Sequence, residues 1–153
     1  MRNTKAAFVW IINILKKRGV RYQVTGGFAA KIYGAKRKLL DIDIDIPDKD
    51  FKTIHSDIKK YIIFGPKKWR GEGFEVFLAT LKYKGQMIDL SGARGKLFNK
   101  KLKRWVSANA DLSKSTVQKV YGKRVFVISK KELIAYKSKL QRRVDAADLK
   151  AIS

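Results

Sequence analysis

The sequence predicts an α+β fold in which a mixed twisted sheet carries three aspartates, is flanked by helices and is followed by a C-terminal helical pair. Three observations support this prediction. Residues 41–46 alternate aspartate with isoleucine, which is the side-chain period of a strand. Residues 4–18 have the apolar periodicity of a helix, and Ser129 stands three residues before Glu132, the spacing of a capping box that opens a helix.

Length and residue usage limit the architecture and the compartment. A chain of 153 residues is predicted to form one domain. The absence of cysteine excludes disulfides and thiolate metal sites, and it favours a reducing compartment, which predicts a cytoplasmic protein. The apolar segment 6–15 contains Asn13, is followed at once by three cations and lacks a cleavage site, so we expect a buried helix there and no membrane association.

The charge balance points to the kind of partner. The chain has 36 Lys+Arg against 13 Asp+Glu, a formal net charge of +23. Such an excess favours a polyanionic partner, with RNA or DNA as the leading candidate. The alternative is a highly charged solvated surface of the kind found in thermophiles.

The first elements lead to a glycine turn. The helix over 4–18 ends at Gly19, and residues 20–25 alternate as a strand does. Gly26-Gly27 breaks that strand, and a short helix is predicted over 28–33. A glycine pair between a strand and a helix lets the backbone approach a phosphate closely, although a tight turn without a ligand has the same pattern.

The aspartate strand is the main candidate site. Alternation places Asp41, Asp43 and Asp45 on one face and three isoleucines on the other. Adjacent carboxylates raise one another's pKa and weaken the fold unless a metal or basic groups lie among them. Oxygen ligands suit magnesium or manganese. A helix is predicted from Asp48 onward, on which His55 has a structural or surface role.

Two basic segments are candidates for a nucleic-acid surface. Residues 65–71 are predicted to form a loop that holds phosphates and stacks a base on its tryptophan, although Trp69 equally fits a role in closing the core. Residues 94–104 are predicted to form an amphipathic helix with a cationic face, for which a solvated face is the alternative. The predicted nucleic-acid contacts are Lys67, Lys68, Trp69, Arg70, Arg94, Lys96, Lys100, Lys101, Lys103 and Arg104.

The remaining segments complete the sheet and the helices. Residues 74–83 and 86–90 are predicted to pair as a hairpin whose second strand carries Asp89 between two apolar residues. A second hairpin is predicted over 116–128, and helices over 129–140 and 143–152. A lone acid in an apolar strand requires a partner, so Asp89 joins the candidate site.

The order of these motifs resembles a known family. A Gly-Gly turn precedes Phe28, and twelve residues separate Phe28 from Asp41-Ile42-Asp43. A third carboxylate follows later, at Asp89. With Arg37 and the tail segments 133–137 and 142–149, this pattern resembles the DNA polymerase beta-like nucleotidyltransferase superfamily, in its minimal and antibiotic- or toxin-related branches. The departures are Phe28 for the usual Ser or Thr, Leu39 for Thr, Val144 for Lys, and the extra Asp45.

The resemblance implies a fold, a reaction and a set of ligands. It implies an α/β nucleotidyltransferase-type domain over 1–153, with a catalytic core in 1–92 and the basic helix, hairpin and C-terminal helices in 93–153. A nucleoside triphosphate such as ATP would donate its NMP to an acceptor hydroxyl and release pyrophosphate. The implied residues are Asp41, Asp43 and Asp89 for two Mg2+ or Mn2+ ions, Gly26 and Gly27 for the β- and γ-phosphates, Arg37 for an aspartate or a phosphate, and Lys137 for the nucleotide site or the surface.

The acceptor is left open by the resemblance, and charge narrows the choice. A protein at +23 repels polycationic aminoglycosides, so an RNA acceptor is favoured, with the 3′ end of tRNA among the options. No separate acceptor-binding domain is predicted, so the acceptor would bind to the basic face of the chain, to a homodimer or to a partner protein. The alternatives are a non-catalytic nucleic-acid-binding protein on the same fold, or a toxin or antitoxin component that modifies or binds a protein.

Overall fold

The structure is a computed structural model that describes residues 1–153. It contains five α-helices and eight strands. In chain order they are α1 (Thr4–Lys17), β1 (Gln23–Thr25), α2 (Gly26–Ile32), β2 (Asp41–Ile46), α3 (Phe51–Ile58), β3 (Ile62–Gly71), β4 (Phe74–Tyr83), β5 (Gln86–Asn99), β6 (Arg104–Ser107), β7 (Thr116–Val120), β8 (Lys123–Val127), α4 (Lys130–Leu140) and α5 (Arg143–Ile152).

All eight strands belong to one mixed sheet. The strand order is β3-β4-β5-β2-β1-β8-β7, and β6 pairs with the far end of β5. Strands β2 and β5 are parallel, as are β1 and β8, whereas the other neighbours are antiparallel. With α4 and α5 packed together at the C-terminus, this arrangement confirms the predicted fold class.

Local chemistry explains where the helices begin. The Asn3 side chain accepts a hydrogen bond from the Ala6 amide and caps α1. The Ser129 side chain accepts from the Glu132 amide and caps α4, as the capping-box spacing predicted. Helix α1 buries one face in the core, which confirms the predicted buried helix. None of the helices combines the length and hydrophobicity required to cross a membrane.

The core lies beneath the aspartate strand. Ile42, Ile44 and Ile46 are all fully buried, and they belong to one cluster of 28 buried hydrophobic residues drawn from α1 through α5. The intervening aspartates lie on the other face and are only partly buried. The predicted alternation of β2 is therefore confirmed, and the burial of its isoleucines fixes which way the carboxylates face.

Residues 65–71 do not form a loop. They belong to β3, which pairs with β4 and lies at the edge of the sheet. Gly65 and Pro66 suggested a loop, but an edge strand accepts a proline where its register shifts, and the register of β3 shifts between Phe64 and Lys67. The prediction of a loop at this position was wrong.

The predicted amphipathic helix over 94–104 is also wrong. Strand β5 continues to Asn99, the chain turns, and β6 returns from Arg104. Phe98 lies opposite Trp105 across the two strands, so the apolar spacing that suggested a helix belongs to a hairpin. Asn99 accepts a hydrogen bond from the Leu102 amide in the turn. The expected division after residue 92 falls inside β5.

Candidate active site

Two of the predicted metal-binding carboxylates lie side by side. Strands β2 and β5 run parallel, and their register places Asp43 directly opposite Asp89. On the other side of β2, Thr25 of β1 is opposite Asp43, and on β4 Thr80 donates a 2.7 Å hydrogen bond to Asp89. Asp41 lies two residues earlier on the same face of β2. The structure thus brings the three acids to one face of the sheet.

The electrostatics of these acids favour a cation. Burial and the nearby charges of Asp89, Asp41 and Asp45 raise the pKa of Asp43 to about 7. Burial, followed by repulsion from Asp89, also raises the pKa of Asp41, and burial raises that of Asp89. No three acidic or histidine side chains converge into a closed ligand cage. The row of carboxylate oxygens nevertheless has the donor chemistry of a magnesium or manganese site, because a cation would relieve this repulsion.

Gly26 and Gly27, the first two residues of α2, bring backbone against the aspartate row. Gly26 has φ +63°, and a Cβ at this position would lie 2.5 Å from Oδ2 of Asp43. A Cβ on Gly27 would lie 2.5 Å from Nη2 of Arg37 and 3.0 Å from Leu39. Only glycine fits both positions without displacing a neighbour. The backbone of Gly26 therefore lies against Asp43, and that of Gly27 lies against Arg37.

Arg37 and Lys137 belong to an ion-pair cluster beside this turn. Arg37 donates two hydrogen bonds to Asp148, at 2.8 and 2.9 Å. Lys137 is 1% exposed and lies 3.1 Å from Asp145 and 2.9 Å from Asp148, while Arg142 also binds Asp145. Burial alone would raise the pKa of both aspartates, but their hydrogen bonds from these cations hold it below the usual value.

In this cluster, Arg37 and Lys137, the two cations predicted to bind the nucleotide, are both paired with aspartates of α5. The sequence left Arg37 free to bind an aspartate or a phosphate, and in the structure its partner is Asp148. The charge of Lys137 is near enough to Asp43 to offset a small part of the rise in the pKa of that carboxyl. Both cations are therefore fixed close to the aspartate row, and their contact with a nucleotide remains a prediction.

A large cleft opens above the aspartate row. Its volume is about 940 Å³, and it lies between the sheet and the C-terminal helices. Acids outnumber cations along its wall: the acids are Asp41, Asp43, Asp45, Glu72, Asp89, Asp111 and Glu132, and the cations are Arg37, Lys38, Lys139 and Arg142. The cleft is therefore acidic although the whole protein is strongly basic.

Among the predicted nucleic-acid contacts, Trp69 alone lines this cleft. The ring of Trp69 lies 5.2 Å from that of Phe74, which also lines the cleft. An aromatic pair of this kind is a platform on which a base can stack. The stacking role predicted for Trp69 thus has a surface on which to act, although the loop that was expected to carry it is a strand.

Most of the predicted cations of β3 and β5 lie on the opposite face of the sheet. Lys67 is the exception, because it is exposed opposite Leu78, which lines the cleft. Lys68 is opposite Phe77, and both Arg70 and Lys96 are opposite Glu75. Phe77 packs on α3, away from the cleft. Lys100, Lys101 and Lys103 lie exposed in or beside the turn between β5 and β6. We call the exposed cations Lys68, Arg70, Arg94 and Lys96 the outer basic face.

Sequence reasoning missed two polar residues in the cleft. Gln23 is 2% exposed, donates to Asp45, and has an Oε1 without a hydrogen-bond partner. Tyr136 of α4 also lines the cleft, and burial followed by the charge of Asp45 raises its pKa. The only signal for Gln23 was a polar residue at an inward position of a short strand, which many surface strands also contain.

Comparison with known proteins identifies the fold. Neither a protein-family model nor a curated protein matches the sequence. A candidate nucleotidyltransferase from Thermotoga maritima superposes with a TM-score of 0.75 at 20% identity, covering 98% of this chain and 93% of that one.

Two further solved structures are also similar to this chain. The lincomycin-bound lincosamide antibiotic adenylyltransferase LnuA has a TM-score of 0.64 at 16% identity, covering 97% of this chain and 94% of that one. The antibiotic-resistance factor ANT(2'')-Ia has a TM-score of 0.61 at 17% identity, covering 98% and 81%. The chain therefore has the nucleotidyltransferase fold.

Proposed function

We propose that this protein is a metal-dependent nucleotidyltransferase that moves an NMP from an NTP to an acceptor hydroxyl and releases pyrophosphate. One observation carries the proposal: Asp43 and Asp89 lie opposite each other on parallel strands, at the floor of a cleft of about 940 Å³ that Gly26 and Gly27 also line. A cleft of this volume accommodates a nucleotide. The fold supports the general reaction class.

The residues of the chain would bind and orient the donor. Asp41, Asp43 and Asp89 would hold two magnesium or manganese ions, since their clustered charge requires cations. When bound, such ions neutralise phosphate charge and lower the pKa of an attacking hydroxyl. Gly26 and Gly27 would let the β- and γ-phosphates approach the backbone closely.

We further propose that the acceptor is an RNA end. The net charge of +23 and the outer basic face support this choice, because phosphate contacts dominate RNA affinity. The outer basic face lies across the sheet from the cleft, so the body of the RNA would bind there and only its end would reach the aspartates. Apart from the donor's triphosphate, which the metal ions would neutralise, the acidic cleft suits an uncharged sugar hydroxyl better than the phosphates of the RNA backbone.

Label transfer tests the activity. The protein is incubated with each α-labelled NTP, Mg2+ or Mn2+, and total RNA, and labelled RNA is measured. We expect transfer by the wild type that is lost in Asp43→Asn and Asp89→Asn. Asp57→Asn is the matched control, because this carboxylate pairs with Arg18 on the surface. Salt-sensitive RNA binding without any transfer would instead support a non-catalytic nucleic-acid-binding protein.

A further inference from the structure

A second polar row crosses the floor of the cleft beside the aspartate pair. The first row runs Thr25, Asp43, Asp89 across β1, β2 and β5, and the register of the same strands places Gln23, Asp45 and Ser91 in the next row on this face. Two residues along a strand separate the rows by about 7 Å. All three members of the second row line the cleft. The polar floor therefore extends beyond the proposed metal site.

Gln23 leaves a buried amide oxygen of the second row without a hydrogen-bond partner. Its Nε2 donates to Oδ2 of Asp45 at 3.0 Å, while its buried Oε1 has no partner. A buried acceptor without a partner costs roughly 1–3 kcal/mol. Exchanging the amide's nitrogen and oxygen would not remove the problem, since Oε1 would then face the Asp45 carboxylate. With Oδ1 of Asp45, the row holds two neighbouring acceptors. Because Oε1 is buried, the Gln23 side chain must shift before a ligand in the cleft reaches it.

The in-line geometry of phosphoryl transfer indicates that the second row faces the acceptor. The glycine pair extends from Asp43 towards Arg37 and Leu39, which precede β2, so phosphates held there lie towards Asp41. In phosphoryl transfer the attacking and leaving oxygens lie roughly in line. The attacking hydroxyl must then approach from the opposite end of the row, where Asp45 lies.

We propose that Gln23 and Asp45 bind the vicinal diol of the acceptor's terminal ribose, so that one hydroxyl is held while its neighbour attacks. This inference rests on the function proposed above. Two hydroxyl donors match the two acceptor atoms, whereas a phosphate would be repelled by Asp45 and an apolar group would leave Oε1 of Gln23 unpaired. The two residues are specificity determinants and take no part in the chemical step.

Binding without NTP tests the subsite independently of catalysis. The probes are two labelled single-stranded RNA 12-mers that differ in the 3′-terminal sugar, ribose in one and 2′-deoxyribose in the other. Anisotropy is read at elevated salt to weaken non-specific phosphate contacts. We expect wild-type protein to prefer the ribose end about tenfold, since the deoxy end leaves a buried acceptor unpaired. Gln23→Met and Asp45→Asn should reduce this preference towards unity.

Two controls keep the result interpretable. Asp57→Asn should retain the full preference, and circular dichroism with thermal melting establishes that each variant is folded. Equal binding of the two ends by folded wild-type protein overturns an RNA end as the occupant of the subsite, even where label transfer succeeds. A preference that Gln23→Met and Asp45→Asn retain also overturns it. A preference that both variants abolish supports the subsite, even where no transfer occurs and the proposed function fails.

A free ribonucleoside identifies the source of the diol. The same proteins are titrated with adenosine and 2′-deoxyadenosine. A ribose preference with the 12-mers supports an RNA end as the acceptor. A preference limited to the free nucleosides, and lost in Gln23→Met and Asp45→Asn, overturns that assignment and makes a small sugar-bearing molecule the acceptor. Equal binding of both nucleosides and of both RNA ends overturns the subsite itself.

Discussion

An ion pair between Arg37 and Asp148 connects the loop before the aspartate strand to the last helix. The guanidinium of Arg37 precedes the aspartate strand, and its two hydrogen bonds reach a carboxylate on the last helix, 111 residues further along the chain. Asp148 is buried and also contacts Lys137, so its charge depends on both cations. This contact holds α5 against the loop that supports the glycine turn.

Arg37→Gln should therefore destabilise the fold. Breaking a fully buried pair costs roughly 3–5 kcal/mol, but about a third of the Arg37 side chain is exposed, so we expect a loss of about 2 kcal/mol in the free energy of unfolding. Chemical denaturation measures it. Arg18→Gln is the control, because Arg18 makes the same two-bond contact with Asp57 at the surface, and its midpoint should barely move. Equal effects of the two substitutions would contradict the structural role of Arg37.

The aspartate row should make the metal-free protein sensitive to pH. Asp43 and Asp45 both have a pKa raised to about 7, against an ordinary value of 3.8. Between pH 4 and 7 the folded state thus binds more protons than the unfolded state, and the free energy of unfolding falls as pH rises. We expect thermal melts in EDTA to show a declining melting temperature across this window.

Variants and metal check the origin of this slope. Asp43→Asn should flatten it and raise the melting temperature at pH 8, since one buried charge is gone. Asp145 and Asp148 have lowered pKa values, so their stabilising effect is lost only below about pH 4, outside the window. Added Mg2+ should stabilise the wild type more at pH 8 than at pH 5, because ionised carboxylates bind it. A melting temperature that rises from pH 4 to 7 would refute the account.

Gly26→Ala should impair catalysis more than stability. The φ of +63° costs alanine about 1–2 kcal/mol, and the added methyl group displaces Asp43. A displacement of this kind lowers a catalytic rate by about 100-fold. Gly122→Ala is the matched control, since its φ is +77° with nothing within 4 Å of the added Cβ. It should lose stability and keep label transfer; equal transfer by both variants would argue against the placement of Asp43.

The candidate site could be predicted from sequence because its chemistry is local. Alternation alone sets Asp41, Asp43 and Asp45 on one face, and the fixed register of parallel strands then aligns Asp43 with Asp89.

The cationic segment at 94–104 could not be placed this way. Its apolar residues fit a helix and a hairpin equally, and only pairing with β4, twenty residues away, decides for strands. Gln23 was missed because its amide oxygen becomes buried without a hydrogen-bond partner only when the sheet is assembled.

The outer basic face should govern RNA affinity without governing chemistry. Lys68 and Lys96 are exposed and lie on the face of the sheet opposite the aspartates. Each lysine that neutralises a phosphate contributes about 0.7 to the slope of log affinity against log salt for a single strand. Lys68→Gln with Lys96→Gln should therefore reduce that slope by about 1.4, measured by anisotropy from 50 to 200 mM salt. Turnover at saturating RNA should be unchanged, because neither side chain reaches the cleft. Lys139→Gln, which removes a cation from the cleft wall, is the comparison: a larger slope change there than on the outer face would place the RNA inside the cleft instead.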